Sequence, residues 1–342
     1  MRIFRQTPGR PRTAPGVAVA GVVALALTGC GTGSGSGDGG EAADCSDGPA
    51  KEITIAHQPG LGYAPLLIAK QQKTLEKRFP DTEITWRELD SGAAIRDGMI
   101  AGDIQVGSGG IAPFLVGYDT EVGWKIVTGL EKMNLQLMTK DPSIKSLKDL
   151  RGKGKIAMPG PDSIQSVVLR KAAEEQLGDA KALDSQIVAM GHPDGRQALA
   201  SGQLAAHLTS PPFQGQEKAD GARSIANSYD VFGEHTFNSA FTMSSFEACN
   251  SQFVSALAGA VTESNRLINN KPAEAAKLLS EEFADEPAKE IEKDLTADDV
   301  EFDTTPVGFG TFAGFMKEIG LIREVPESSD LFFDNKNTAG GN

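Results

Sequence analysis

From residue 51 onward, short apolar segments alternate with amphipathic ones, and this alternation limits the fold more than any other feature of the sequence. The apolar segments have the length and composition of β-strands; they are Glu52–Ala56, Glu83–Glu88, Ile104–Gly107, Lys125–Leu130, Leu135–Thr139, Lys155–Met158, Gln186–Ala189 and Ala205–Leu208. The amphipathic segments predict helices near Ala64–Lys73, Ala93–Ala101, Ser163–Leu177 and Gly195–Ser201. Alternation of this kind predicts an α/β fold with mostly parallel sheets.

The pattern changes after a further predicted strand at Phe237–Met243. From there the sequence predicts helices with no strands between them, at Ser251–Asn269, Pro272–Phe283, Ala288–Leu295 and Phe309–Ile319. Pro272 suits the first turn of its helix, where the N–H that proline lacks would have no partner anyway. A helical tail of this length needs an apolar surface to cover, so we expect it to lie on a sheet built earlier in the chain.

Five predicted turns that follow strands share one chemistry, because they are rich in small and hydroxyl residues. They are the turns at 57–63, 90–92, 107–110, 159–163 and 209–213. Such residues at helix N-termini leave backbone N–H groups and the positive end of the helix dipole available to an anion or a polar ligand. In open α/β sheets, ligands bind outside the carboxyl ends of the strands. We therefore expect a ligand site here, although Ser91, Ser108 and Ser163 also suit simple helix caps or turns.

The charge balance narrows the class of protein. Lys and Arg number 33 against 46 Asp and Glu, which gives a net charge of −13 and argues against a nucleic-acid-binding protein. Apolar residues make up 39% of the chain, enough for a sizeable core and against wholesale disorder. No segment reaches the roughly 20 apolar residues that span a bilayer. We therefore expect a folded, acidic protein.

The first 30 residues predict export and lipid anchoring. Residues 1–29 contain four arginines and no acid, and an apolar run over Val17–Leu27 follows them. This is the pattern of a signal peptide. Leu27-Thr28-Gly29-Cys30 also resembles a lipobox, which implies cleavage before Cys30 and its acylation, with a plain signal peptide as the alternative. The Gly-rich segment after it predicts a flexible tether over residues 30–50, and hence a body held at the outer face of the cell membrane.

Two further cysteines, Cys45 and Cys249, remain in the exported part of the chain. An even number of cysteines in an oxidising compartment suggests a disulfide, which would join the N-terminal extension to the body. The alternative is two unrelated free thiols.

Catalytic and metal-binding motifs are missing from the sequence. None of the four histidines has H-x-x-x-H spacing, and neither G-x-S-x-G nor a P-loop occurs. We therefore expect no catalytic residue, no metal site and no cofactor.

Several runs resemble one family of proteins. Ser146–Lys153 with Lys155–Pro159 resembles the bacterial ABC-importer substrate-binding proteins, and within them the taurine, alkanesulfonate and nitrate type that also includes thiamine-pyrimidine binders. Gly62–Ala69, Gly102–Gly107 and Ala198–Gln203 resemble further segments of that family. The resemblance covers about residues 51–285.

The resemblance implies a type II periplasmic-binding-protein fold, an α/β architecture of two lobes joined by two crossing strands with the ligand between them. Lobe one would comprise residues 51–137 and 238–342, and lobe two residues 141–234. Closure of the lobes would bury the ligand.

The resemblance also implies a function, which is to capture a small polar or anionic organic solute, similar to a sulfonate, nitrate or a pyrimidine, and deliver it to an ABC permease and its ATPase. We expect a monomer that touches the membrane only through its lipid. The alternatives are a solute-sensing lipoprotein and an enzyme similar to thiamine-pyrimidine synthase, although the cysteine-rich signature of that enzyme is missing. Where the family often has Trp-Asp-Pro-Phe, this chain has Ser210-Pro211-Pro212-Phe213, and the loss of the acid argues against an amine ligand.

The turns, aligned with the family's ligand loops, predict the site residues. The candidates are Gln58, Gly62, Tyr63, Ser91, Gly92, Ser108, Gly109, Ser163, Gln165, Ser210, Phe213 and Asn238, with Phe237 beside Asn238 as a weaker one. They contain no fixed cation, so an anion would rest on helix dipoles, backbone N–H groups and hydroxyls.

Overall fold

The computed structural model describes Cys45, residues 49–283 and residues 286–342. The strands are β1 (Glu52–His57), β2 (Glu83–Glu88), β3 (Val106–Gly110), β4 (Trp124–Met133), β5 (Gln136–Thr139), β6 (Ile156–Met158), β7 (Ile187–Ala189), β8 (Ala206–Thr209), β9 (Arg223–Asn227), β10 (Thr236–Met243) and β11 (Val300–Glu301). The helices are α1 (Ala64–Gln71), α2 (Thr74–Arg78), α3 (Gly92–Ile100), α4 (Ile111–Asp119), α5 (Leu147–Leu150), α6 (Ile164–Leu177), α7 (His192–Ala200), α8 (Phe213–Ala219), α9 (Ser228–Phe232), α10 (Ser244–Asn270), α11 (Pro272–Leu279), α12 (Ala288–Leu295), α13 (Phe309–Glu318) and α14 (Ser328–Leu331).

The strands form two separate sheets. The first has the order β11-β4-β10-β3-β1-β2 and the second the order β7-β6-β8-β5-β9. We call residues 136–232, which carry the second sheet, the second lobe, and the other described residues from 49 onward the first lobe. The predicted α/β class is therefore confirmed.

The expectation of mostly parallel sheets is wrong, because both sheets are mixed. Strand β1 runs parallel to β2 and β3, and β6 runs parallel to β7 and β8. Strand β10 is antiparallel to β3 and β4, and β5 is antiparallel to β8 and β9. Each of these two strands follows a crossing between the lobes, so it enters its sheet from the end at which the parallel strands leave.

The chain crosses between the lobes twice. The first crossing lies at residues 134 and 135, between β4 and β5, and the second at residues 233–235, before β10. The expected end of the first segment at residue 137 falls inside β5, where Gln136 and Leu137 already pair with Thr209 and Leu208. The sequence pattern separates the two strands, but it does not show that the short connection between them is the point at which the chain leaves the first lobe.

The core of the first lobe fixes the helix that leads out of β3. Phe114 of α4 stacks on Trp124 with ring centroids 5.4 Å apart, and Phe241 and Phe309 pack around the pair. Gly117 makes this packing possible, since a Cβ there would lie 2.0 Å from the Trp124 ring. The sequence did not reveal α4, because most of its residues are buried and its apolar pattern has no helical period.

The helical tail packs on the first sheet, as expected. Helix α10 lies against α1 and β4, and α11 lies against α10 and α12. A disulfide joins Cys249 in α10 to Cys45, with the Cα atoms 5.4 Å apart. Nearby, the backbone N–H of Ala50 donates to the Asn250 side chain at 2.8 Å. The start of the body is thereby tied to the first turns of α10.

Within the described part of the chain, no helix is long and apolar enough to cross a membrane. The predicted signal peptide over residues 1–29, the lipidated Cys30 and most of the predicted tether lie outside the described residues.

Candidate functional site

Four helices begin at a narrow cavity between the two lobes. Gly92 at the start of α3 and Gly110 before α4 come from the first lobe, and Ile164 at the start of α6 and His192 at the start of α7 come from the second. The cavity has a volume of about 20 Å³. Its lining is Gln58, Pro59, Tyr63, Gly92, Gly110, Pro113, Pro159, Ser163, Ile164, Gln165, His192, Phe237 and Asn238.

The helix ends make the cavity electropositive without a basic side chain. The first turns of α3, α4 and α6 contain no acidic residue that would offset the positive end of the dipole. Asp194 in the first turn of α7 is the exception. The residues that line the cavity include no Lys, Arg, Asp or Glu. A small anion or a polar group that accepts hydrogen bonds suits such a surface.

On the first-lobe side, a hydrogen-bond network leads from the cavity to a buried carboxyl. The amide of Gln58 donates to the Tyr63 hydroxyl at 2.8 Å, and that hydroxyl donates to the Asn238 side-chain oxygen at 3.0 Å. Asn238 in turn donates to Glu131 Oε1 from its backbone N–H at 3.1 Å and from its side-chain amide at 3.0 Å. We call these four residues the Tyr63 network. Because its amide donates to Tyr63, which is itself held by Asn238 and Glu131, the network fixes Gln58 in one orientation.

Glu131 anchors this network from a buried position. It lies in the core of the first lobe, and burial raises the pKa of its carboxyl well above its usual range. Gly62 leaves the room for this arrangement, because a Cβ at that position would lie 2.5 Å from the Asn238 amide nitrogen and 2.9 Å from Glu131 Oε1. Gly62 therefore supports the site from behind and does not line it.

On the second-lobe side, another line of polar groups leads inward from the cavity. The Gln165 amide nitrogen lies 3.2 Å from His192 Nε2, and His192 Nδ1 lies 3.0 Å from His207 Nε2. His207 Nδ1 contacts Glu217 Oε1 at 2.6 Å. We call His192, His207 and Glu217 the His–Glu relay. Gly195 packs against His207 of this relay. The position has no room for a side chain, because a Cβ there would lie 2.6 Å from His207 Nε2.

Burial keeps the members of the relay uncharged at neutral pH. Desolvation lowers the pKa of His192 well below its usual range, and the neighbouring His207 lowers it further. Desolvation also lowers the pKa of His207 to about 3 and raises the pKa of Glu217 to about 8. The short contact between His207 and Glu217 is therefore a hydrogen bond between neutral groups near pH 7.

Contacts across the cleft hold the two lobes together around the cavity. The backbone N–H of Leu61 donates to the Pro211 carbonyl at 3.0 Å, next to the cis peptide bond between Pro211 and Pro212. Arg96 in the middle of the first lobe's α3 pairs with Asp162 in the loop before α6 at 3.0 Å. The small cavity and these contacts describe a closed arrangement of the lobes.

The structure brings half of the twelve predicted site residues to the cavity wall. Gln58, Tyr63, Gly92, Ser163, Gln165 and Asn238 line it. Gly109 lies directly behind Gln58, since a Cβ there would be 3.3 Å from the Gln58 amide nitrogen. Phe213 lines a neighbouring groove, and Ser210 approaches Gly60 beside it.

Two predicted hydroxyls have structural partners and do not line the cavity. Ser108 is fully buried and donates to the Ala56 carbonyl at 2.7 Å, so it joins β3 to β1. Ser91 caps α3, where its oxygen accepts from the Ala94 N–H at 3.2 Å. Both have the roles that the sequence left open as the alternative to ligand binding.

His192 has the polar lining side chain that the sequence analysis missed. It stands at the first position of α7, after a strand–helix turn that has neither a hydroxyl nor a glycine-rich run. The weaker candidate Phe237 lines the cavity together with Asn238. Only the packing of α7 against β8 brings His192 to His207, so the relay could not be predicted from any local sequence pattern.

The two serine caps provide a matched pair of variants. Ser91→Ala and Ser163→Ala each remove an oxygen that accepts from the third residue on, which costs about 1 kcal/mol of stability. We expect an unchanged Kd for Ser91→Ala and a roughly tenfold weaker one for Ser163→Ala, whose helix turn lines the cavity. Urea unfolding and isothermal titration with any bound solute measure both effects. Equal Kd values in the two variants would contradict this assignment.

Metal ligation finds no support in the residues that the structure describes, where no group of three His, Cys, Asp or Glu side chains could hold an ion.

Comparisons with known proteins agree with the geometry. The NMT1-like family matches residues 46–280. The chain is 24% identical over 301 residues to an Escherichia coli (strain K12) protein named for binding aliphatic sulfonates, covering 86% of this chain and 87% of the relative. It is 31% identical over 111 residues to the taurine-binding periplasmic protein of the same organism, covering 32% of this chain and 33% of that protein. The fold is similar to that of the alkanesulfonate-binding protein of Xanthomonas axonopodis pv. citri, bound to MOPS, with a TM-score of 0.67 at 20% identity. The match covers 83% of this chain and 99% of the Xanthomonas chain.

The two-lobed fold with a polar cavity at the cleft is that of the periplasmic solute-binding proteins, and the expected resemblance to the ABC-importer type of these proteins is confirmed. Because the family match spans more than half of the sequence, the chain belongs to the NMT1-like family. The relatives are named as binding proteins, which agrees with the expectation that this protein is not an enzyme.

Proposed function

We propose that the protein captures a small polar or anionic organic solute in the cavity between its lobes and delivers it to an ABC permease and its ATPase. The observation that carries this proposal is the meeting of four helix N-termini with uncharged polar side chains from both lobes at one cavity. A solute bound there contacts both lobes at once, so it stabilises the closed arrangement relative to an open one.

The lining favours a sulfonate-like solute, with nitrate-like and pyrimidine-like solutes as the other members of the class. An oxyanion accepts hydrogen bonds in several directions, which suits N–H groups at the ends of α3, α4, α6 and α7. The relatives named for aliphatic sulfonates and taurine support the same choice. No carboxylate lines the cavity to receive an amine, which argues against taurine itself.

We further propose that the protein acts as a monomer at the outer face of the cell membrane, anchored through a lipid on Cys30. The arginines before the apolar run and the lipobox-like Leu27-Thr28-Gly29-Cys30 support export and acylation. Two or more acyl chains give a stable anchor. A solute-sensing lipoprotein uses the same cavity and differs only in its membrane partner.

A thermal-shift screen tests the binding proposal. We expect one class among aliphatic sulfonates, nitrate, pyrimidines and carboxylates to stabilise the protein, and lysine methyl ester, a cation, to serve as the negative control. A solute at 100 times its Kd adds about 2.7 kcal/mol to the free energy of unfolding. For a domain of this size that raises the Tm by roughly 5 to 10 °C. If no member of the panel raises the Tm, the proposed function is wrong.

A further inference from the structure

The His–Glu relay contains more buried polar groups than the lining of the cavity requires. It runs from Gln165 at the cavity, through His192 and His207, to Glu217 on α8, with successive contacts of 3.2, 3.0 and 2.6 Å. All three members of the relay are more than nine-tenths buried. Among the described residues, Glu217 Oε2 has no hydrogen-bond partner. Leaving a buried carboxyl oxygen without a hydrogen bond is costly, which points to a role for this carboxyl.

Counting protons shows what the relay can present to a solute. Each neutral imidazole carries one proton. When the Glu217 carboxyl is ionised, His207 Nδ1 donates to it and His192 Nδ1 donates to His207, so His192 Nε2 has no proton and can only accept a hydrogen bond. One additional proton reverses the order: Glu217 donates to His207, His207 donates to His192, and His192 Nε2 becomes a donor at the cavity.

We propose that the relay is a proton-loaded donor that selects solutes presenting a hydrogen-bond acceptor, such as an oxyanion oxygen, to His192 Nε2, and that couples their binding to one proton. The structure places the Gln165 amide nitrogen at His192 Nε2, so when His192 Nε2 donates, the amide turns over and accepts that hydrogen bond through its oxygen until a solute binds. The solute takes its place, so the exchange loses no hydrogen bond. This inference rests on the proposed function of the cavity. It names the feature of the solute that the second lobe recognises, which is a hydrogen-bond acceptor.

The coupling has a definite sign. The solute binds to the relay that carries the additional proton, and that proton is present below the raised pKa of Glu217, at about 8. Affinity is therefore constant below about pH 7.5 and falls at higher pH, until the pKa of the occupied relay is passed. Near pH 9 the free protein has lost this proton, and binding takes up one proton from solution.

Other titratable groups lie near the relay and must be separated from it. The groups that face the relay, the helices that carry it or the cavity are Arg196 and Asp220, which pair at 3.1 Å, Asp294 beside Gly215, Glu286 at Gln216, Asp90 beside Gly191, His57 next to Gln58, and Tyr63 and Glu131 of the Tyr63 network, whose pKa values burial raises well above their usual range. Burial raises the pKa of Asp294 to about 7, so its titration is the strongest rival. Burial lowers the pKa of His57, which places its titration below the range of interest.

Titration calorimetry with ethanesulfonate, whose charge is constant from pH 6 to 10, tests the inference on the unmodified protein. We expect a Kd roughly tenfold weaker at pH 9 than at pH 7, the loss that follows from one proton of pKa about 8. Repeating the titration in buffers of different ionisation enthalpy counts the protons. We expect close to zero taken up at pH 6.5 and close to one at pH 9.

Two variants separate Glu217 from its neighbours. In E217Q, the amide donates to His207 Nδ1 at every pH, so the Kd at pH 9 should equal the Kd at pH 7. In the matched control D294N, a half-buried acid on the neighbouring helix loses its charge while the relay is intact, so the tenfold fall should persist.

The outcomes are distinct. A Kd that does not change between pH 7 and 9, or a fall that persists in E217Q, overturns the inference. If E217Q does not fold, the proton count of the unmodified protein decides, and no uptake at pH 9 overturns it. If ethanesulfonate fails to bind while a pyrimidine binds, the inference is wrong and the proposed function stands. If no solute of the panel binds, the proposed function itself is wrong.

Discussion

Gly62→Ala should weaken solute binding by roughly 100-fold while the protein still folds. The added methyl group would lie 2.5 Å from the Asn238 amide nitrogen, 2.9 Å from Glu131 Oε1 and 3.2 Å from the Phe237 ring. All three neighbours are buried, so the strain is relieved by moving Asn238 away from Glu131 and Tyr63. Gln58 then loses its fixed partner, and two misplaced hydrogen bonds to the solute account for a loss of this size.

Overpacking at Gly62 should also cost about 1 to 3 kcal/mol of stability. Gly259→Ala provides the matched control, because that glycine is exposed in the middle of α10 and nothing lies within 4 Å of a Cβ there. It should leave the Kd unchanged and add about 0.5 to 1 kcal/mol of stability. Calorimetry and urea unfolding measure the two effects. Wild-type affinity in a folded Gly62→Ala protein would show that the Tyr63 network does not position the site.

Reducing the disulfide should have the largest effect on stability. Cys45 and Cys249 are 204 residues apart in sequence, and a cross-link over so long a loop removes much of the entropy of the unfolded chain. We expect the free energy of unfolding to fall by about 3 kcal/mol when both are replaced by serine. The Tm should fall by roughly 6 to 12 °C.

The reducing agent provides the control for this prediction. Wild-type protein in dithiothreitol should unfold at the temperature of the double serine variant, and the variant should be insensitive to dithiothreitol. Binding should change little, since neither cysteine lines the cavity. A Tm that dithiothreitol leaves unchanged, in protein whose thiols are shown to be reduced, would contradict the stabilising role of the disulfide.

Elements with strong local patterns were predictable almost to the residue. Strand β2 and helix α12 have the predicted bounds, because alternating or helically spaced apolar residues specify each element without reference to the rest of the chain. Helix α4 and strand β9 escaped prediction. Helix α4 is mostly buried and so lacks an amphipathic pattern, and strand β9 has no apolar run to distinguish it.

Site residues were predictable where a polar turn leads directly into a helix, as at Gly92 and at Ser163 with Gln165. They were not predictable where the role depends on a distant partner. Ser108 looks like a ligand residue in its Gly-rich turn, yet its hydroxyl is used by the Ala56 carbonyl, 52 residues away. His192 has no distinguishing neighbours in sequence, yet it lies at the cavity.

By itself, the sequence determined the α/β architecture, the acidic surface and the turns that can hold an anion without a basic side chain. The tertiary structure decided which of those turns meet, and it placed two buried carboxyls whose pKa values are raised, Glu131 and Glu217, behind opposite walls of one cavity. The physical reason is a difference of range. Hydrophobic periodicity acts within a single element, whereas the pKa and the hydrogen-bond partners of a buried polar group depend on how two sheets pack across the cleft.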